Sequence, residues 1–136
     1  AMKLLKQSAD VNIRENSFGK SPLMYAIQYK QPEVAMKLLK QGAELNVQDK
    51  DGLTPLMHAI QDKQPEVAMK LLKQSADVNI RENSFGKSPL MYAIQYKQPE
   101  VAMKLLKQGA EVNVQDYVGF TPLIYAIRFK QPEVAM

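Results

Sequence analysis

Few side chains in this 136-residue chain could carry covalent or acid–base chemistry. There is no cysteine, which removes thiolate nucleophiles, disulfides, zinc ribbons and iron–sulfur ligation together. The single histidine, His58, follows a Thr-Pro-Leu-Met run, and Tyr25, Tyr92 and Tyr125 stand at the corresponding places elsewhere. A position that takes tyrosine three times serves packing or contact with a partner, not proton transfer. Ser21 and Ser88 each precede a proline, and the sequence supplies no base to activate them. Asp49-Lys50-Asp51-Gly52 has the start of a calcium loop but lacks its third ligand and its bidentate glutamate, so a hairpin turn is expected there. All six glycines are single, which excludes a Gly-rich phosphate cradle. No catalytic, metal-binding or cofactor-binding residue is therefore expected, and an enzyme is not expected either.

The elements that position these residues recur. KQPEVAMKLLKQ begins at Lys30 and Lys97, and KQPEVAM returns at Lys63 and Lys130. Ala1, Ala35, Ala68, Ala102 and Ala135 mark one position with spacings of 34, 33, 34 and 33, so the larger period is 67 residues. Each unit reads as two short helices and an extended loop. Ser21, Thr54, Ser88 and Thr121 are N-caps followed by proline at the first helical position. Leu56, Ala59 and Ile60 form an apolar stripe at i, i+3 and i+4 on the first helix. Pro65 opens the second helix, Val67, Ala68, Leu71 and Leu72 make its buried face, and Glu66 and Lys70 are spaced as an outward ion pair. Gly42 and Gly109 end that helix as left-handed caps, places held by Ser8 and Ser75 in the other units.

These motifs resemble ankyrin repeats. The family's Gly-x-Thr-Pro-Leu-His-x-Ala opening has its counterpart in Gly52-Leu53-Thr54-Pro55-Leu56-Met57-His58-Ala59. Its Leu-Leu-x-x-Gly-Ala-Asp-Val-Asn closing corresponds to Leu105-Leu106-Lys107-Gln108-Gly109-Ala110-Glu111-Val112-Asn113. The resemblance implies an all-α solenoid of antiparallel helix pairs with β-hairpin-like loops along one edge. The array divides into a partial repeat at 1–14, full repeats at 15–48, 49–81 and 82–115, and a partial repeat at 116–136. Leu38, Leu39, Leu71, Leu72, Leu105, Leu106, Ala59 and Ala93 are expected in the core. Three places depart from the family pattern. Met24, Met57, Met91 or Ile124 replaces the histidine after Thr-Pro-Leu. Lys-Gln replaces Gly-His between the helices, which requires left-handed lysines. The loops at 15–19 and 82–86 carry one extra residue.

The resemblance further implies that function is the binding of another protein or peptide on the concave face. Overlaying residues 1–69 on 68–136 leaves eight differences: Leu45/Val112, Lys50/Tyr117, Asp51/Val118, Leu53/Phe120, Met57/Ile124, His58/Tyr125, Gln61/Arg128 and Asp62/Phe129. Seven of these fall in the loop tip and first helix, while the outer helices are unchanged. That pattern fits one scaffold reused with different contact residues, and the second copy gains aromatic side chains. Both members of six of these pairs are contact candidates: Lys50/Tyr117, Asp51/Val118, Leu53/Phe120, His58/Tyr125, Gln61/Arg128 and Asp62/Phe129. Phe18, Tyr25, Tyr29, Phe85, Tyr92, Gln95 and Tyr96 extend the surface. The alternative is an engineered or purely architectural array, a scaffold or spacer without a dedicated partner.

Net charge is +4, and Lys37, Lys70 and Lys104, with Lys40, Lys73 and Lys107, form two ladders on the second helices. Glu33, Glu66 and Glu100 run beside them and no aromatic residue interleaves, so nucleic acid is not the expected partner. No apolar run is long enough for a membrane span and no signal-peptide pattern opens the chain, so an intracellular, cytoplasmic protein is expected. Neither end carries a polar capping repeat. Leu4 and Leu5 at one end and Leu123 and Ile127 at the other are expected to be partly exposed, favouring head-to-tail self-association.

Overall fold

The computed structural model describes residues 9–135, so Leu4, Leu5 and Ser8 lie outside the described residues. Eight helices follow one another in it. The first helices of the pairs are α1 (Pro22–Gln28), α3 (Pro55–Gln61), α5 (Pro89–Gln95) and α7 (Pro122–Arg128). The second helices are α2 (Pro32–Lys40), α4 (Pro65–Lys73), α6 (Pro99–Lys107) and α8 (Pro132–Ala135). Each first helix packs on its own second helix and on the first helices before and after it, and second helices stack likewise. The chain is an all-α solenoid with one continuous core.

Local chemistry sets each boundary. The hydroxyls of Ser21, Thr54, Ser88 and Thr121 accept from the backbone N–H three residues on, at 3.2–3.4 Å. Ser88 N–H donates in turn to Met91 Sδ at 3.5 Å, so a methionine fills the place of the family's histidine. At the turn between helices, Lys30, Lys63, Lys97 and Lys130 adopt φ of 55–57°. Each costs on the order of 1 kcal/mol relative to glycine. Two backbone bonds hold that strain at Lys63, one from Lys63 N–H to Ile60 and one from Gln64 N–H to Ala59 at 2.8 Å. Gly42, Ser75 and Gly109 end the second helices with positive φ.

Leu71, Leu72, Leu105, Ala59 and Ala93 have no exposed surface, and Leu38 and Leu39 are buried. Leu106 departs from expectation. It is half-buried, packed against the core on the side of α8. The Glu66–Lys70 pair does not close either: among the described residues no lysine or arginine lies within 4.0 Å of a carboxylate, and the one such contact of a basic side chain is His58 with Asp49. Nor do the loops form strands among the described residues. One backbone bond closes each longer loop, such as Glu82 N–H to the Lys87 carbonyl at 3.0 Å, and two close each shorter one, as in Asp49 N–H to the Leu53 carbonyl and Gly52 N–H to that of Asp49, both at 2.9 Å.

Candidate functional site

An acidic residue heads every loop tip and organises it. Asp49 Oδ1 accepts from the backbone N–H groups of Asp51 and Leu53 at 3.0 and 2.9 Å, and Asp116 Oδ1 does the same for Val118 and Phe120. In the longer loops Glu82 accepts from Ser84, Phe85 and Lys87 at 3.0, 2.8 and 2.9 Å, and Glu15 from Ser17, Phe18 and Lys20. Loop length and carboxylate length match: aspartate serves the short tip, and glutamate, one methylene longer, serves the tip with one more residue.

The second carboxylate oxygen ties the tip to the first helix. Asp49 Oδ2 lies 2.9 Å from His58 Nε2, and Tyr125 OH donates to Asp116 Oδ2 at 2.6 Å. Burial pushes the Asp49 and Asp116 carboxyls up, but the His58 or Tyr125 bond and the tip amides outweigh it and hold both below the usual carboxylate range. Burial, then the neighbouring carboxylate, pushes the Tyr125 and Tyr92 phenols well above their usual range. His58, Tyr92 and Tyr125 are only 6%, 6% and 2% exposed. Their expected availability for partner contact is therefore corrected: all three are turned inward, and His58 and Tyr125 brace the tip through their bonds to Asp49 and Asp116.

The ring one turn further along each first helix stays accessible. Tyr25 stacks on Tyr29, Tyr92 on Tyr96 and Tyr125 on Phe129, with centroids 5.9–6.0 Å apart. Tyr29 is exposed, while Tyr25, Tyr96 and Phe129 are half-buried. Cations sit over Tyr25, Tyr92 and Phe129 of these stacks and over the rings of the tips. Lys20 lies 5.4 Å from Phe18, Lys87 4.9 Å from Phe85, Arg81 5.8 Å from Tyr117 and Arg128 4.8 Å from Phe120. Lys20 and Lys87 also donate to Gln28 and Gln95. Phe18, Phe85, Tyr117 and Val118 are exposed at the tips, the last two by 65% and 70%. The second unit carries polar groups instead, with Lys50, Asp51 and Gln61 exposed and Leu53 and Asp62 half-buried.

The structure thus brings most of the candidates onto one side of the solenoid, formed by tips and first helices. Sequence reasoning missed the four anchoring carboxylates and the cations Lys20, Lys87 and Arg81. The recurrence of an acidic residue at Glu15, Asp49, Glu82 and Asp116 was the available signal. Among the described residues no cluster of three or more His, Cys, Asp or Glu side chains could hold a metal ion, and no helix is long and apolar enough to cross a membrane.

Regular helix pairs, proline-initiated first helices and hydrogen-bonded tips together define a repeat solenoid. The family model for ankyrin repeats matches three times, over residues 1–82, 33–116 and 70–136, and the chain belongs to the ankyrin repeat family. Members of this family are in general protein-interaction modules. No curated protein matches the chain by sequence.

Proposed function

We propose that this chain is a protein-binding module that engages its partner through the loop tips and the first-helix face. One observation carries the proposal: a recurring comb of exposed or half-exposed aromatic rings in three units, with a cation over the tip ring or its neighbour in each. Among the described residues none of Lys20, Lys87, Arg81 and Arg128 has a carboxylate within 4.0 Å. Rings and unpaired cations together suit a peptide or protein surface that presents apolar anchors beside carboxylates. Seven of the eight positions that differ between the halves also fall in the tip and first helix, whereas the second helices, with their packing faces, are constant. Constant packing alone would serve a scaffold or spacer equally, so the comb is what separates the two readings.

A displayed library of random peptides, panned on the immobilised protein, supplies a defined ligand. Replacing Phe120 and Phe129 by their counterparts, Phe120→Leu with Phe129→Asp, should weaken the best peptide by at least tenfold, about 1.4 kcal/mol, in calorimetry. Equal binding by the double variant would overturn this assignment of the surface.

A further inference from the structure

Two units carry the same lysine clamp. The stretches 15–31 and 82–98, from loop tip to the turn after the first helix, are identical in sequence. In one, Lys20 Nζ donates to Gln28 Oε1 at 2.7 Å and lies 5.4 and 5.7 Å from the centres of the Phe18 and Tyr25 rings. In the other, Lys87 Nζ donates to Gln95 Oε1 at 2.8 Å and lies 4.9 and 5.8 Å from Phe85 and Tyr92. Two rings and an amide hold each ammonium in place without neutralising it. An ammonium has three N–H donors, of which the glutamine takes one. The acids of the same tips are already engaged, since Glu15 and Glu82 accept from backbone N–H groups. Among the described residues neither lysine has a carboxylate within 4.0 Å.

The unit between the clamps has the opposite sign. Asp51 stands where Phe18 and Phe85 do, Leu53 where the lysines do, and Asp62 where Tyr29 and Tyr96 do. Main-chain bonds fix that correspondence: Asn83 N–H donates to the Asp51 carbonyl as Lys50 and Tyr117 N–H donate to those of Phe18 and Phe85. Asp51 is exposed and Asp62 half-buried, and among the described residues neither carboxylate has a lysine or arginine within 4.0 Å. Over three consecutive units the tips and first helices run positive, negative, positive.

Spacing turns that order into a ligand. α1 packs on α3 and α3 on α5, and packed helices lie about 8–10 Å apart. A polyproline-type segment rises about 3.1 Å per residue with three residues per turn, so every third side chain returns to one side after about 9.3 Å. Such a segment sets one side chain on each unit in turn. A β-strand does not, because its side chains at i and i+3 point to opposite faces.

We infer that the tips and first helices of residues 15–98 bind an extended peptide segment of a partner that carries carboxylates at i and i+6, on Lys20 and Lys87, and a basic side chain at i+3, on Asp51 and Asp62. This rests on the reading of the chain as a protein-binding module and specifies the charge pattern of its partner.

The test is a displayed library of the form X-Pro-Pro-X-Pro-Pro-X with random flanks, X being any residue, panned on the immobilised protein beside the fully random library. The prolines preset the extended conformation. Selected members should carry Asp or Glu, then Lys or Arg, then Asp or Glu at the three X positions. In titrations of the best member, Lys20→Gln and Lys87→Gln should each weaken binding about threefold, equally because the clamps are identical, and the double variant about tenfold. Replacing the peptide's central basic residue by Glu should weaken binding about tenfold, and Asp51→Asn with Asp62→Asn should recover most of that loss. Circular dichroism of these variants should match the parent, since all four side chains are exposed or half-buried. Selection of nothing from the patterned library, selection of another charge order, or binding indifferent to both lysines would each overturn the inference. If peptides from the random library then still bind and lose affinity on Phe120→Leu with Phe129→Asp, the module reading stands and only the charge pattern falls. If neither library yields a binder, both fall.

Discussion

Shortening Glu82 by one methylene, Glu82→Asp, probes the matching of carboxylate to loop length directly. Glu82 is 2% exposed and its oxygens hold three backbone N–H groups of the tip. Aspartate withdraws those oxygens by about 1.5 Å, the length of one carbon–carbon bond, which puts every one of the three bonds beyond hydrogen-bonding distance. Bonds to a charged acceptor contribute about 1.5–3 kcal/mol each when buried; water can replace part of that at a tip, so the total loss should be about 2–4 kcal/mol. In urea unfolding followed by circular dichroism, with a slope of about 2 kcal/mol/M, the midpoint should fall by about 1–2 M. Glu82→Gln keeps the reach and one acceptor oxygen, so it should cost only about 1 kcal/mol. Deleting Ser84 in the Glu82→Asp background converts the tip to the Asp-x-x-Gly form of residues 116–119, and should recover most of the loss. If aspartate costs no more than glutamine, or the deletion lowers stability further, length matching is not what holds the tip.

Two further outcomes follow from burial and charge. Leu72→Ala should cost roughly 2–5 kcal/mol because Leu72 has no exposed surface, whereas Leu106→Ala, at a half-buried site, should cost no more than about 2 kcal/mol; urea midpoints compare them. Asp49 and Asp116 have folded-state pKa values held below the unfolded value, so their stabilisation is present above the ordinary carboxylate pKa and is lost as pH falls through the folded one. Thermal midpoints should therefore be flat from neutrality to about pH 5 and fall below about pH 4, and Asp116→Asn should shrink that fall.

The fold was legible because its signals are local and repeated. Ser or Thr before Pro-Leu marks a helix start whatever surrounds it, and the Val-Ala-x-x-Leu-Leu face has only one side to bury. The environment of Leu106 was not legible from its own helix, which has the same sequence as the two before it, since its cover comes from the neighbouring unit. The contact surface was half legible. Variation between the halves pointed to the correct stretch of chain, but a tyrosine at position 92 or 125 reads the same whether it faces a partner or a carboxylate nine or ten residues earlier. Only the fold shows that the 58/92/125 position turns inward and the 29/96/129 position stays accessible. Similarly, Gln64 and Gln98 read as surface polar residues, and their role depends on a carbonyl 37 or 38 residues away.

Cohesion and recognition are carried by different residues of the same unit, and this explains where the halves can differ. Between units, Gln64, Gln98 and Gln131 donate to main-chain carbonyls and Asn12, Asn46 and Asn79 accept from main-chain N–H groups, side chains identical in both halves, while Lys50, Asn83 and Tyr117 N–H donate to the Phe18, Asp51 and Phe85 carbonyls as main-chain rungs. Lys50 and Asn83 also bond the preceding unit through their side chains, Lys50 Nζ donating to the Asn16 carbonyl at 2.6 Å and Asn83 Nδ2 to that of Lys50 at 3.3 Å. Exchanging Lys50 for Tyr117 or Asp51 for Val118 alters what the tip presents and leaves the rung in place, as the Tyr117 N–H bond to Phe85 shows. The buried exchange obeys the same logic: histidine at 58 and tyrosine at 125 each bring one polar atom to the same carboxylate oxygen, at 2.9 and 2.6 Å. A unit built this way can change its outward face while its main-chain bonds to its neighbours persist and only side-chain bonds such as that of Lys50 are exchanged, which is the physical condition for a repeat array to diversify its contacts on a constant backbone frame.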